Sequence, residues 1–234
     1  MTIQLSNSTH ARETLALGLP LIGSSLAQMA LHVADTVMVG WYGVVPLAAV
    51  VLGASSFFII YVVGSGFAKA VMPMVATAMG QGDEVQVRRD TRMGLWLSIA
   101  YGIAVLPIFW WSGPILLALG QKPEVAAIAQ DYLRIAGFGL VPALCVTVLQ
   151  SYLAALHRTQ VVLWVTLVAV AVNVAINWAL IFGNWGFPEM GARGSAVATL
   201  TVQILSLLIL SLYAGLPPDL RRFRLFQRFW RPDW

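Results

Sequence analysis

Charge is scarce in this chain: only 10% of its 234 residues are Asp, Glu, Lys or Arg, against about 25% in soluble domains. Cysteine is scarcer still. A single Cys145 excludes a disulfide framework or a thiolate metal site within one chain and reads as a small packing residue. Basic residues form no cluster suited to a soluble nucleic-acid-binding face, so nucleic acid is excluded as a partner. What fills the chain instead is apolar: 59% hydrophobic residues, with 9 Trp and 10 Phe and a mean hydropathy of +0.80. No soluble core of this length buries so much apolar surface, which excludes a cytosolic enzyme and a disordered chain. The composition describes an all-α, polytopic membrane protein.

Gaps between charges outline the spans, because hydrocarbon tolerates few unpaired charges. The gaps Glu13–Asp35, Asp35–Lys69, Arg92–Lys122, Arg134–His157, Arg158–Glu189 and Arg193–Asp219 hold 21, 33, 29, 22, 30 and 25 residues without a charge. A spanning helix needs roughly 20 apolar residues, so six helices are expected, over about 14–39, 46–80, 91–119, 125–156, 159–182 and 194–215. The second is expected to bend around Gly64, Gly66 and Pro73. These runs are continuous rather than alternating, which disfavours a β-barrel. The chain then divides into an N-terminal segment 1–13, a six-helix bundle 14–216 and a basic, aromatic connector 217–234. The first span exceeds the length of a signal-peptide core, which disfavours cleavage.

Eleven of the 14 Lys and Arg fall at one end of this bundle and three, Lys122, Arg134 and Arg193, at the other. The positive-inside rule puts both termini in the cytoplasm of a multi-pass protein of the cell membrane. Trp41-Tyr42 and Trp110-Trp111 fall at the opposite, outer interface. Membrane lipids are expected partners. Lys69 is expected to snorkel to the inner interface, and Asp131 and Arg134 to neutralise one another at i, i+3.

Asp35 is the only acid well inside a span. A carboxylate there costs at least ~2.5–3.5 kcal/mol on insertion scales, so it faces a cavity or a partner. The plainer reading is a helix-end residue reaching the interface before Gly40. Counting back by helical steps puts His32, Gln28 and Ser24 or Ser25 on one stripe with Asp35. At 1.5 Å per residue, Asn173 and Asn177 lie in the outer half of the fifth span, and Thr199 lies in the outer part of the sixth. Asp35, Asn173, Asn177 and Thr199 are thus expected to meet in one outer-leaflet pocket. For the amides and the hydroxyl, interhelical hydrogen bonding without function stands as the alternative. His32 is either a dyad partner of Asp35 or a packed or pore-facing residue, and Gln150 is a further cavity candidate.

Four stretches resemble the multidrug and toxic compound extrusion (MATE) family. Leu19-Pro20 followed by Val33-Ala-Asp35-Thr-Val-Met-Val-Gly40 is similar to the family's first helix. Met79-Gly-Gln-Gly-Asp83 resembles its loop between helices two and three, Asn173-Val-Ala-Ile-Asn177 its fifth helix, and Gly191-Ala-Arg-Gly194-Ser-Ala-Val-Ala-Thr199 the opening of its sixth. The likeness runs from Leu15 to Trp234 and is nearest the NorM branch.

The resemblance implies a transporter, not an enzyme. Such proteins are antiporters that export cationic, amphipathic drugs in exchange for Na⁺ or H⁺, with no other cofactor. It implies that Asp35 couples the cation and is a candidate Na⁺ ligand, with Asn173, Asn177 and Thr199 as partners. Gln28, with His32 and Gln150, would line the drug cavity. Some family members carry a second acid where this chain has Asn177, so a one-carboxylate site is expected here. The family has twelve helices in two lobes, and this chain matches one, so a second lobe or a second copy is an expected partner. Two other readings stay open. One is a lipid-linked oligosaccharide flippase, which needs cations that these spans lack. The other is an intramembrane enzyme using His32 and Asp35 as base and orienter.

Overall fold

The structure, a computed structural model, describes residues 7–227, with side chains from Leu15 onward except Leu17. Residues 1–6 and the connector's Arg228 and Arg231 lie outside the described residues, as does the side chain of Arg12. Among the described residues nine α-helices follow in order: α1 Asn7–Tyr42, α2 Val44–Gln81, α3 Glu84–Trp110, α4 Ser112–Ala118, α5 Pro123–Phe138, α6 Leu140–Ala155, α7 Thr159–Phe182, α8 Ala192–Gly215 and α9 Pro218–Arg221. No strand occurs among the described residues.

By length and hydropathy α2, α3, α7 and α8 are each long enough to cross a membrane, and α5 with α6 makes a fifth, bent span. The 36 residues of α1 reach about 54 Å at 1.5 Å per residue, a length that would also cross. Polytopic all-α architecture therefore stands as expected. Residues 159–182 end where the sequence puts them.

Two expectations need correction. The span expected over 91–119 ends at Trp110, because Trp111 leaves helical geometry and a separate short α4 follows. The span expected over 125–156 is two helices bent by 45° at Gly139. Pro142 lacks the N–H that would bond Phe138, and its ring crowds that carbonyl. The turn tightens accordingly, with the Gly139 amide donating to the Ala136 carbonyl at 2.8 Å. As expected, α2 continues as one helix through Gly64, Gly66 and Pro73.

Turn chemistry marks the other ends. Asp83 caps α3 by accepting from the Gln86 amide at 2.9 Å. At the end of α2, Gly82 adopts φ +72, its amide bonding Met79 and that of Asp83 bonding Ala78, the glycine-favoured closure of a helix.

Packing sets up the site. Along its length α1 lies mainly against α7, α7 against α8, and α2 against α3, α5 and α6. At Gly194, a Cβ would meet the Leu180 carbonyl oxygen at 2.7 Å, so only glycine lets α8 approach α7 that closely. We call the end holding the α2–α3, α6–α7 and α8–α9 turns the basic end, and the other the aromatic end, where Trp41, Trp110 and Trp111 are exposed.

Candidate functional site

Three helices deliver the polar cluster. Asp35 comes from α1, Asn173 and Asn177 from one face of α7, and Thr199 from α8, all in the half of the bundle nearer the aromatic end. Asn177 Nδ2 donates to Asp35 Oδ1 and, at 3.0 Å, to Asn173 Oδ1. Thr199 Oγ1 donates to Asp35 Oδ2 at 3.3 Å. Asp35 is 8% exposed, and both asparagines are fully buried. The expected meeting of these four residues is what the structure shows. Asp35 does not reach past the helix end to water.

Both carboxylate oxygens thus have one neutral donor each, from different helices. Hydrogen bonds to a charged group are worth about 1.5–3 kcal/mol, while burying a carboxylate costs several. Two such bonds only about match that cost, so a small cation that reaches the carboxyl group adds direct charge compensation. Further oxygen and nitrogen atoms wait nearby: Asn177 Oδ1, Asn173 Nδ2 and Ser195 Oγ are buried with no hydrogen-bond partner. Ser195 stands one helical turn before Thr199 on α8 and went unnoticed in the sequence. Tyr132 of α5 was missed as well. It is buried, and its ring fills the space left by Gly53, where a Cβ would sit 2.7 Å away. A hydroxyl-bearing aromatic inside an apolar span was the available signal.

Other expectations fail on geometry. The α1 stripe splits: Ser24, Leu31, Asp35 and Met38 are buried, whereas Ser25, Gln28, His32 and Thr36 are exposed. No hydrogen bond joins His32 to Asp35 among the described residues, so the base-and-orienter pair is not assembled. Gln28 and His32 instead share the open flank of α1. Gln150 is half-buried near the basic end of α6, far along the bundle from Asp35. Asp131 pairs with Arg193 at 2.7 Å rather than with Arg134. Arg134 lies over the Trp110 ring, 5.4 Å from its centre, and donates to the Trp110 carbonyl at 3.3 Å. The loop before α8 brings Arg193 across, which spacing along α5 could not reveal.

Residues 20–179 match the MatE family model. The chain belongs to the MATE family. The probable multidrug resistance protein NorM of Rhizobium meliloti (strain 1021) is 50% identical over 97% of this chain and 48% of that protein. Its namesake in Agrobacterium fabrum is 45% identical over 97% of this chain and 49% of that one. The chain therefore spans about half the length of the curated relatives it matches. Among solved structures, a eukaryotic MATE transporter superposes with a TM-score of 0.86 at 18% identity, over 94% of this chain and 48% of that one. An outward-facing multidrug resistance MATE transporter gives 0.80 at 20% identity, over 94% and 49%. At such identities the likeness is one of fold, that of one lobe of such a transporter.

Proposed function

We propose that this chain forms one lobe of an antiporter that exports cationic, amphipathic drugs in exchange for Na⁺ or H⁺. A single observation carries the reading: a lone carboxylate, buried between α1, α7 and α8, held by two neutral donors and surrounded by unpaired polar atoms. One negative charge among neutral groups matches one positive charge. Asp35 therefore takes a proton, a sodium ion or the ammonium of a drug, but only one at a time. Competition for that position couples inward cation movement to outward drug movement.

The lever is α1. Ionised Asp35 accepts from Asn177 and Thr199 and ties α1 to α7 and α8. A cation on the carboxylate weakens those bonds and frees α1 to shift, with Pro20 as its bend point. Two helix positions with different affinity for the cation are all such coupling requires. Asn173 and Asn177 supply amide oxygens and Thr199 a hydroxyl, which suit Na⁺ as a hard cation. Gln28 and His32, exposed on the flank of α1, face the drug path between this lobe and a second. The terminal end, with its excess of Arg, is cytoplasmic under the positive-inside rule, in the cell membrane.

The test uses a full-length version containing both lobes, in vesicles with an imposed cation gradient. Wild-type protein moves a cationic dye against its gradient, and Asp35→Asn, similarly expressed and folded, does not. Undiminished gradient-driven dye movement by Asp35→Asn would remove Asp35 from the mechanism.

A further inference from the structure

A cavity of about 410 Å³ lies at the basic end, between the last turns of α2, the α6–α7 turn and α9 with the residues after it. Nothing in the transport reading uses it. Its walls combine cations, Arg158, Arg222 and His157, with one acid, Asp219, and with the apolar Met79 and Phe223. Each arginine is held by one carboxylate, Arg158 by Asp219 at 3.1 Å and Arg222 by Glu84 at 3.5 Å. Both arginine side chains remain about half exposed, at 45% and 53%, with donors left for an anion.

Two further features show a built site. Its outer wall is pinned. Arg92, itself 3% exposed, donates to the backbone carbonyls of Leu225 at 2.7 Å and Arg224 at 3.1 Å, and to that of Gln227. Phe223 meets Tyr152 edge-on. Phe223 and Leu225 therefore turn inward onto the bundle, while Arg221 and Arg224 are exposed. His157 supplies the second feature. The His157 amide bonds Ala154 and the Arg158 amide bonds Leu153, so α6 closes as α2 does. Yet His157 takes φ +58 at a position where α2 uses Gly82. A histidine held where glycine is favoured, on the rim of a cationic cavity, points to a use for its side chain.

We propose that this cavity binds the phosphate of an anionic phospholipid, with Arg158 and Arg222 as its ligands and His157 as a rim donor. The walls lie at the last turns of α2 and α6 and the start of α7, which the topology of the proposed function puts at headgroup depth on the cytoplasmic side. Basic pockets between spanning helices at the cytoplasmic face suit such headgroups.

The test is native mass spectrometry of the 234-residue chain in detergent with short-chain phosphatidylglycerol, phosphatidylcholine or inorganic phosphate. Phosphatidylglycerol is retained several-fold over phosphatidylcholine. Arg158→Gln and Arg222→Gln each lower that retention by about fivefold, the equivalent of ~1 kcal/mol per basic residue at a membrane surface. Arg158→Lys keeps most of it, and Arg221→Gln, off the cavity, keeps all. His157→Gly relieves the backbone and melts no lower than wild type, yet binds less lipid. Equal retention of the two lipids, or an equal loss in Arg221→Gln, overturns the site. Displacement of the lipid by inorganic phosphate at matching concentration would assign the site to free phosphate and overturn the lipid.

Discussion

The two ends of this bundle handle charge in opposite ways. At the basic end, charges are paired or capped near water: Arg158 with Asp219, Arg222 with Glu84, and Arg92 spread over backbone carbonyls. Toward the aromatic end, one acid is buried and held by an amide and a hydroxyl, with no ion pair to it among the described residues. The first arrangement pairs opposite charges and fastens elements in place. The second is electrically unfinished, and an unfinished site is what an exchangeable cation requires.

That contrast yields tests of graded size. The largest effect is expected from Asn177→Val, which removes the one donor bridging Asp35 and Asn173. It should lower cation-driven export tenfold or more, in line with ~1.5–3 kcal/mol for a hydrogen bond to a charged group. Asn177→Asp sharpens the point: a second carboxylate beside the first should retain cation binding and tighten it for a larger total charge, measured by isothermal titration with Na⁺. Next comes Gly194→Ala. Its methyl group would strike the Leu180 carbonyl, and backbone cannot swing aside, so a loss of about 1–3 kcal/mol is expected. The check is a lower melting temperature together with weaker export.

At the basic end, Arg92→Gln should leave dye movement nearly intact yet free the segment after α9, seen as faster proteolysis around residues 221–227. Smallest of all is Asp219→Asn. Exposed ion pairs contribute roughly 0–1 kcal/mol, so thermal stability should hardly change. A large export defect in Arg92→Gln with no change in proteolysis would break the division of labour between the two ends.

Much of this was legible beforehand because single helices advertise themselves. Charge gaps marked the spans, and the limits of α7 came out as read. The Asp35 cluster was legible for a related reason: in helices of similar length, depth follows from counting residues. Pairings across the fold were not. Asp131 with Arg193, and Arg92 with the carbonyls of Arg224 and Leu225, join residues far apart in the chain, and no spacing rule connects them. The bend at Gly139 escaped because its apolar flanks outweighed Pro142. The α1 stripe misled because residues three and four apart cover a wide arc. Gln28 and His32 fall just beyond the buried edge that Ser24, Leu31 and Asp35 occupy.

The central claim is that the Asp35 carboxyl exchanges a coupling cation for drug, and infrared difference spectroscopy reads that group directly. Adding a cationic drug to the cation-loaded, full-length protein should change the carboxyl or carboxylate stretching bands, and Asp35→Asn should erase that change. Identical difference spectra from the two proteins would contradict the account.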